Sequence, residues 1–295
     1  MKNASFLIAS CILLSFLIPF SVNLTKTREN PGEFMLKTEN NGEMVEMSLE
    51  DYVLCVLRQE VPSYYEKEAL KAQAVAIRSY ALRKFTNTSH LCTDFKHCMA
   101  YLSRGDAMKK WGKDFKRFES IYKNAVEETK NQVLYYNNEI ANTVFFAISS
   151  GRTENAEDVW GGKVPYLVST ESKEDLSAER LESRVEFDLN EFREKLGVSF
   201  VNVTSVERTE SGMVKTMTIS DKTFKGNEIR SLFSLRSANF EIEVTDKVIF
   251  KVKGYGHGVG MSQNGANECA KKGMNYKDIL FKYYKGTRLV DLFEK

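Results

Sequence analysis

The chain carries little net charge, few histidines and only one long apolar run. Its 42 basic residues nearly cancel its 40 acidic residues, leaving a net charge of +2 over 295 residues. Nucleic-acid-binding domains typically show a strong basic excess or stripe, and the sequence holds no RNP, zinc-finger or helix-turn-helix pattern. We therefore expect no nucleic-acid partner. With 42% hydrophobic residues, the chain is long enough to bury one large core or two moderate ones.

The apolar run lies at the N-terminus. Residues 4–22 contain no charge and are dominated by Leu, Ile and Phe. The run is longer than a usual signal-peptide core and just long enough to span a bilayer, and residues 19–23 form a poor cleavage site. We expect residues 1–23 to form an uncleaved transmembrane helix that anchors the chain in the cell membrane, with the rest outside the cytoplasm. A cleaved signal peptide is the alternative.

Helical and β patterns are mixed along the rest of the chain without the alternation of a βαβ fold. This mixture predicts an α+β class with mostly antiparallel strands. Residues 24–47 are expected to form a linker and a hairpin that turns at Asn41-Gly42, followed by one extracytoplasmic domain over residues 48–295.

Several elements of that domain have predicted bounds. Helices are predicted at residues 48–60, 64–86, 107–130 and 264–284. A second hairpin is predicted over residues 132–148, with its turn at Asn137-Asn138. Residues 171–196 are expected to be a charged, partly helical surface excursion.

The stretch from Gln59 to Arg78 holds the first candidate for catalysis. Ser48 followed by Asp51 predicts a capped helix start. Pro62 predicts that this helix ends just before it, which places Glu60 at a rigid corner. A carboxylic acid at such a corner can protonate a leaving oxygen, whereas the simpler interpretation is a solvated acid at a helix end.

The next helix carries two candidate substrate-binding cations. Ser63 followed by Glu66 predicts its capped start. Lys71 and Arg78 are seven residues apart and are expected to project from one face about 10 Å apart. They can hold a polar or anionic chain, or they can form an ordinary solvated face.

A Cys and His cluster predicts a metal site. His90, Cys92, His97 and Cys98 place two of the three histidines and two of the five cysteines within nine residues. These are zinc-ligand types, and four of them would close the coordination shell, which favours a structural over a catalytic zinc. A Cys92–Cys98 disulfide is the competing interpretation outside the cytoplasm, and neither arrangement is the third possibility.

Three further segments are candidates for ligand binding. Five glycines surround His257 within twelve residues, so the backbone there can approach a ligand, and His257 can line a site or brace one. The segment is not a nucleotide fingerprint, because no βαβ unit surrounds it.

Ser149, Ser150 and Thr153 follow a predicted buried strand and can hold sugar or phosphate, although serines at a strand end usually make turns. Trp160 and Tyr166 can stack on sugar rings or pack in the core.

Taken together, these stretches resemble the stage II sporulation protein D family, membrane-anchored enzymes that cleave peptidoglycan glycan strands during engulfment and share their domain with amidase enhancers. The resemblance covers about residues 48–288. It is carried by Glu60-Val61-Pro62 with residues 68–82, Ser149-Ser150-Gly151 with Thr153, residues 159–161 with 164–167, residues 256–266 and residues 279–286. The chain departs from the family pattern at Val61, Arg152 and Asn264, which leaves the groove contacts there open.

The resemblance implies a substrate groove and assigns roles around it. Glu60 matches the catalytic acid of a lytic transglycosylase that cuts the bond between N-acetylmuramic acid and N-acetylglucosamine and leaves 1,6-anhydro ends, with a preference for peptide-stripped strands. Lys71 and Arg78 match basic positions that hold the lactyl carboxylate or tune Glu60. The implied substrate-binding residues also include Ser149, Ser150, Thr153, His257 and Gln263. Zinc binding by residues 90–98 resembles a feature of some members.

The resemblance also implies partners. These are the glycan strands themselves, a sporulation amidase or endopeptidase and a multi-pass membrane protein. Two other functions remain open from the residues alone. One is a non-catalytic amidase enhancer or peptidoglycan-binding module, and the other is a zinc hydrolase centred on Cys92 and Cys98.

Overall fold

The computed structural model describes residues 33–40, 42–94 and 97–293. No helix in these ranges is both long enough and apolar enough to cross a membrane. The predicted anchor at residues 1–23 lies outside them, as does Asn41 of the first predicted turn.

The described chain is a mixed α and β fold, as expected from the sequence. Its α-helices are α1 Leu49–Glu60, α2 Lys67–Thr88, α3 Arg104–Trp111, α4 Phe115–Glu127, α5 Ala156–Trp160, α6 Leu189–Leu196, α7 Gly226–Leu232, α8 Gln263–Lys271 and α9 Tyr276–Tyr283. Its strands are β1 Met35–Asn40, β2 Glu43–Ser48, β3 Leu91–Cys92, β4 Gln132–Tyr136, β5 Glu139–Ile140, β6 Phe145–Phe146, β7 Glu182–Asp188, β8 Val203–Arg208, β9 Val214–Ile219, β10 Lys222–Lys225, β11 Phe240–Val244, β12 Lys247–Lys253, β13 Met261–Ser262 and β14 Arg288–Asp291.

Most strand pairs are antiparallel, and the described sheets are small. Their strand orders are β2-β1-β3, β10-β9-β8, β11-β12-β7, β13-β6 and β14-β4-β5. The β1-β2 hairpin confirms the first predicted hairpin, and Leu36 of β1 packs into the same core as α1 and α2. The hairpin is thus part of the folded body.

The corner that carries Glu60 forms as the sequence predicts. The Ser48 hydroxyl accepts a hydrogen bond from the backbone N–H of Asp51 and caps α1. Glu60 is the last residue of α1, and Val61 is extended (φ −132°, ψ 146°) before Pro62. Proline disfavours a helical conformation in the residue before it, which is why the helix stops here.

Helix α2 begins later than predicted. It starts at Lys67, and its N-cap residue is Glu66, which makes no side-chain capping bond. The predicted capping box at Ser63 is therefore wrong. The backbone N–H of Glu66 instead donates to the side-chain oxygen of Asn267 in α8, at 2.8 Å, so a tertiary contact satisfies this helix end.

Helix α2 lies between two hydrophobic cores and contributes residues to both. Its alanine stripe at residues 69, 72 and 76 is almost fully buried and packs in the core that also contains residues of α8 and α9. Its other sides pack in the core with α1 and α4. Because α2 is covered on several sides, polar residues along it are not necessarily exposed.

Three other sequence predictions need correction. The helix predicted over residues 264–284 is two helices, α8 and α9, separated by residues 272–275. The helix predicted over residues 107–130 is two helices, α3 and α4, because Gly112 adopts φ +52° and a short 3-10 turn separates them. Residues 171–196 are not a surface excursion. They include β7, which pairs with β12, and α6, whose Phe192 is buried in a second core formed by residues 185–252.

The segment that begins with the second predicted hairpin leads to a strand pair that brings distant parts of the chain together. Asn137 and Asn138 both have positive φ (47° and 65°), as the predicted turn requires. The chain then continues through β6, which pairs in parallel with β13. This pairing places residues 147–151 beside the glycine-rich segment and the start of α8.

Candidate functional site

A groove of about 410 Å³ opens beside the C-terminal end of α1. It is lined by Glu60, by Tyr64 and Tyr65 before α2, by residues 147–148, by residues 177–180 and by Tyr255, and α8 contributes Gln263 and its neighbours. Parts of the chain that are widely separated in sequence thus meet at the predicted acid.

The Glu60 carboxyl group is partly buried and held from two sides. The backbone N–H of Ala100 donates to its Oε1 at 3.0 Å, and the side-chain amide of Gln263 donates to its Oε2 at 3.5 Å. Of the predicted substrate-binding residues, Gln263 is the one that the structure places in the groove with Glu60.

Burial controls the ionisation of Glu60. Loss of water around the carboxyl group raises its pKa, and the hydrogen bonds from Ala100 and Gln263 offset part of that rise by favouring the carboxylate. The resulting pKa lies above the usual value for glutamic acid. A groove carboxyl group with a raised pKa has the property that a general acid needs.

Lys71 and Arg78 do not line this groove. Arg78 is fully buried (0% exposed). Its guanidinium forms two hydrogen bonds with the Glu50 carboxylate, at 2.9 and 2.6 Å, and donates to the carbonyl oxygen of Gln132 at 3.1 Å. Arg78 therefore does not face the groove, and its donors are used inside the protein.

Lys71 also has partners within the protein. Its Nζ lies 2.8 Å from the Glu68 carboxylate and 4.4 Å from the centroid of the Tyr276 ring. Lys71 thus forms an ion pair with Glu68 beside the Tyr276 ring of α9. Arg78 forms an internal ion pair with Glu50 of α1.

The predicted serine and threonine ligands mainly connect loops to one another. Ser149 is buried, and its hydroxyl donates to the Asp175 carboxylate at 2.6 Å. Thr153 is also buried, and its hydroxyl oxygen accepts from the backbone N–H of Thr170 at 2.9 Å. Both hydroxyl groups are thus bonded within the protein, and neither residue lines the Glu60 groove. Ser150 is less buried, and its hydroxyl accepts from the Asn239 amide at 2.8 Å.

Asp175 is a structural residue that the sequence analysis missed. Besides Ser149, its buried carboxyl group accepts hydrogen bonds from Ser172, Ser262 and Asn264. Burial raises its pKa, although these donors lower it in part. The cluster fixes the start of α8 and so positions Gln263. Asp175 follows Glu174 within Lys173–Ser177, and nothing in this short charged segment distinguishes the buried acid from its neighbour.

His257 braces an aromatic group. Its Nδ1 accepts from the backbone N–H of Val259 at 3.1 Å, and its ring lies 5.1 Å from Trp160 and 5.7 Å from Phe146. Burial lowers its pKa to about 4, so the ring is neutral at neutral pH. The structure therefore favours the bracing role over the ligand role.

Trp160 and Tyr166 lie in a different groove. This second groove has a volume of about 870 Å³ and is also lined by Arg83 and Lys163. The Trp160 side chain is 51% exposed, whereas Tyr166 is buried and packs 4.9 Å from Tyr136. The predicted aromatic faces thus do not line the Glu60 groove.

Three of the four predicted metal ligands form a cluster. The ligand atoms of Cys92, His97 and Cys98 all lie within 4.8 Å of one another, and both cysteines are free thiols. Their sulfur atoms are 3.1 Å apart, and each lies 3.2 or 3.7 Å from Nδ1 of His97. Two sulfur ligands of a tetrahedral zinc lie about 3.8 Å apart, so a small adjustment accommodates the ion.

His90 is not part of this cluster. Its Nδ1 lies 3.0 Å from the carbonyl oxygen of Thr88, and its ring nitrogens do not belong to the group of ligand atoms that lie within 4.8 Å of one another. The structure therefore brings together three of the four predicted ligands. The cluster lies two residues before Ala100, whose N–H contacts Glu60.

Comparison with known proteins supports the family assignment. A family model described as Stage II sporulation protein matches residues 37–136, which include Glu60 and the cluster of Cys92, His97 and Cys98. The chain is 34% identical to Stage II sporulation protein D of Bacillus subtilis (strain 168), over 92% of this chain and 82% of that protein. It is 36% identical to Stage II sporulation protein D of Bacillus amyloliquefaciens, over 88% of this chain and 79% of that protein.

A more distant similarity is to the Amidase enhancer of Bacillus subtilis (strain 168). The identity is 27%, over 79% of this chain but 39% of that protein. The two matches to Stage II sporulation protein D extend over most of both chains. The chain therefore belongs to the stage II sporulation protein D family.

Proposed function

We propose that this chain is a peptidoglycan lytic transglycosylase and that Glu60 is its single catalytic acid. The observation that carries the proposal is the position of Glu60, a partly buried carboxyl group with a raised pKa that opens on a groove. The proposed substrate is the glycan strand, cleaved between N-acetylmuramic acid and N-acetylglucosamine, with a preference for strands without stem peptides.

The proposed reaction uses Glu60 twice. Protonated Glu60 gives its proton to the glycosidic oxygen, and the bond from that oxygen to C1 of the muramic acid residue breaks. The C6 hydroxyl oxygen of the same residue then bonds to C1 of the oxocarbenium-like centre, and its proton goes to the Glu60 carboxylate. The acid is regenerated, no water is consumed, and the product has a 1,6-anhydro end.

The groove supports a mechanism with one acid. Two other described carboxylates line it, those of Glu179 and Glu268. Glu268 is bound to Lys271 at 2.7 Å, and Glu179 is exposed. The bonds from Ala100 and Gln263 hold the Glu60 carboxylate at the moment after it has lost its proton.

The proposed function also includes a membrane anchor, a structural zinc ion and protein partners. The anchor at residues 1–23 would hold the domain at the outer face of the cell membrane, where cell-wall glycan is the available polymer. A zinc ion held by Cys92, His97 and Cys98 would steady the loop that carries Ala100. The proposed partners are a sporulation amidase or endopeptidase, which strips stem peptides, and a multi-pass membrane protein.

The test is a cleavage assay with the full-length chain purified in detergent. Stripped and peptide-bearing glycan strands are incubated with the wild-type chain, with Glu60→Gln and with Glu127→Gln, a matched change of an exposed glutamate on α4. We expect anhydro ends, lighter by one water than hydrolytic ends, from the wild type and from Glu127→Gln. Absence of product from the wild type, or equal product from Glu60→Gln, contradicts the proposal.

The similarity to the Amidase enhancer supports a second candidate, a non-catalytic module that binds glycan and stimulates an amidase. That function predicts strand binding and amidase stimulation by Glu60→Gln equal to those of the wild type, with no anhydro product from either protein. The same two proteins therefore separate the two functions.

A further inference from the structure

The groove that contains Glu60 has a cation that the sequence analysis did not assign. Of the described residues that line it, two are cations, Arg180 and Lys271. The Lys271 ammonium is bound to the Glu268 carboxylate at 2.7 Å. Arg180 forms no ion pair with the described residues, and its guanidinium lies 6.0 Å from the centroid of the Tyr255 ring.

The Tyr255 ring lies beside this guanidinium and does not neutralise its charge. Its side chain is 40% exposed, and its ring also lies 5.4 Å from the guanidinium of Arg236. An aromatic face attracts cations but leaves their N–H donors free to bind an anion. Arg180 thus presents its donors at the groove wall.

The backbone around Arg180 and Tyr255 is fixed. Tyr255 exchanges two backbone hydrogen bonds with Ile148, at 2.7 and 3.0 Å. The N–H of Gly254 donates to the carbonyl oxygen of Leu181 at 2.8 Å, which ties the residue after Arg180 to the same loop. The chain reaches Arg180 from the short helix Lys173–Ser177, whose Asp175 is buried and bonded to four side chains.

An unpaired guanidinium fits a carboxylate, because its parallel N–H donors match the two carboxylate oxygens. Resting on the proposed function, the substrate offers one such group beside the sugar ring, the lactyl group of muramic acid. In a peptide-bearing strand that group is a neutral amide. After the stem peptide has been hydrolysed away, it is a free carboxylate.

We infer that Arg180, whose guanidinium lies beside the Tyr255 ring, binds the free lactyl carboxylate of a stripped glycan strand and thereby selects stripped strands over peptide-bearing ones. In this inference Arg180 has the role that the family resemblance implied for Lys71 and Arg78, neither of which lines the groove. An amide-hydrolysing reaction must therefore precede the binding of the favoured substrate.

The inference is tested by binding, without catalysis. Full-length Glu60→Gln is combined with Arg180→Gln or Arg180→Lys, and with Arg117→Gln as control, because Arg117 also lies over an aromatic ring, 4.7 Å from the centroid of Phe118, but outside the groove. The probes are stripped strands, peptide-bearing strands, and stripped strands whose lactyl carboxylates have been converted to methylamides.

We expect Glu60→Gln and its Arg117→Gln combination to prefer stripped strands over both other probes. Arg180→Gln should bind stripped strands about tenfold to a hundredfold more weakly and lose the preference, because a charged hydrogen-bonded pair is lost, and Arg180→Lys should retain part of it. An unchanged preference in Arg180→Gln, or equal binding of free and methylamide strands by Glu60→Gln, overturns the inference.

The proposed function and this inference fail separately. If wild-type protein makes no anhydro ends, the transglycosylase proposal fails whatever the binding shows. If anhydro ends form but the preference does not depend on Arg180, only the present inference fails. Circular dichroism of each variant checks that the fold is retained, as expected for substitutions of the exposed Arg180 side chain.

Discussion

The side-chain amide of Gln263 lies 3.5 Å from the Glu60 carboxylate, although 203 residues separate them in sequence. The contact exists because β6 and β13 pair in parallel and α8 begins directly after β13. A cluster around Asp175 fixes that helix start through Ser262 and Asn264. The proposed acid is therefore positioned partly by segments that lie far from it in sequence.

This contact has an expected effect on the pH dependence of cleavage. A general acid acts in its protonated form, so activity on stripped strands should fall as the pH rises through the pKa of Glu60, which burial has raised. The Gln263 hydrogen bond lowers that pKa in part, so Gln263→Ala should move the falling limb to higher pH. The measurement is kcat/KM across pH for both proteins. A limb that stays in place, or that moves to lower pH, contradicts the assignment.

Replacement of Arg78 should reduce stability and not act through lost substrate contacts. Arg78→Ala leaves the Glu50 carboxylate without its partner, and the loss of one member of such a buried pair costs about 3–5 kcal/mol of unfolding free energy. Urea denaturation measures the change. The control is Arg83→Ala on the same helix, whose exposed pair with Glu139 contributes about 1 kcal/mol or less.

The double change Arg78→Met with Glu50→Leu completes that experiment. Replacing both members of a buried pair by apolar residues removes the uncompensated charge. We expect the double variant to be more stable than Arg78→Ala and to bind stripped strands normally. Weak strand binding by a stable double variant would instead support a role for Arg78 in substrate binding.

Zinc content should follow the three-residue cluster. The full-length protein, purified under reducing conditions, should contain one zinc per chain by atomic emission. Cys92→Ser should lose most of it, whereas His90→Ala should retain it, because the His90 ring is turned to the Thr88 carbonyl. Equal loss in both variants contradicts the three-residue ligand set.

The same preparations address the zinc hydrolase alternative. Removal of the metal by a chelator should loosen the Ala100 loop and reduce the yield of anhydro ends. Hydrolytic ends from the metal-loaded protein, abolished by chelation while the fold persists, would instead support a hydrolase centred on Cys92 and Cys98.

Glu154 should make stability depend on pH near neutrality. It is buried, and its carboxylate accepts hydrogen bonds from Thr209 (2.6 Å) and Ser211, which belong to the part of the chain with the second core. Burial, with smaller effects of Asp158 and Glu210, raises its pKa from 4.5 to about 7.

Because the folded protein holds this proton more tightly than the unfolded chain, the stabilisation is complete below the unfolded pKa. It is lost as the pH rises through about 7. The loss amounts to at most about 3 kcal/mol, and Glu154→Gln should remove it. Urea denaturation at pH 5 and pH 8 measures this, with the exposed Glu157→Gln as control. An equal pH dependence in Glu154→Gln contradicts the assignment.

Local patterns predicted the parts of this protein that depend on neighbours in sequence. Ser48 and Pro62 determine where α1 begins and ends, since a capping hydroxyl and a proline act within one helical turn. The position of Glu60 at the helix end followed from them. Asn137 and Asn138 likewise marked a turn that requires positive φ at both residues.

The sequence by itself determined the family, the α+β class, the helix corner and the identity of the proposed acid. Only the tertiary structure decided which polar side chains face the groove. Arg78 lies on a helix that is covered on several sides, and periodicity along one helix does not show what packs against it. Asp175 and Arg180 acquired their roles through loops that meet across more than 80 residues of sequence, so no local pattern distinguishes a buried acid that joins four side chains from a solvated one.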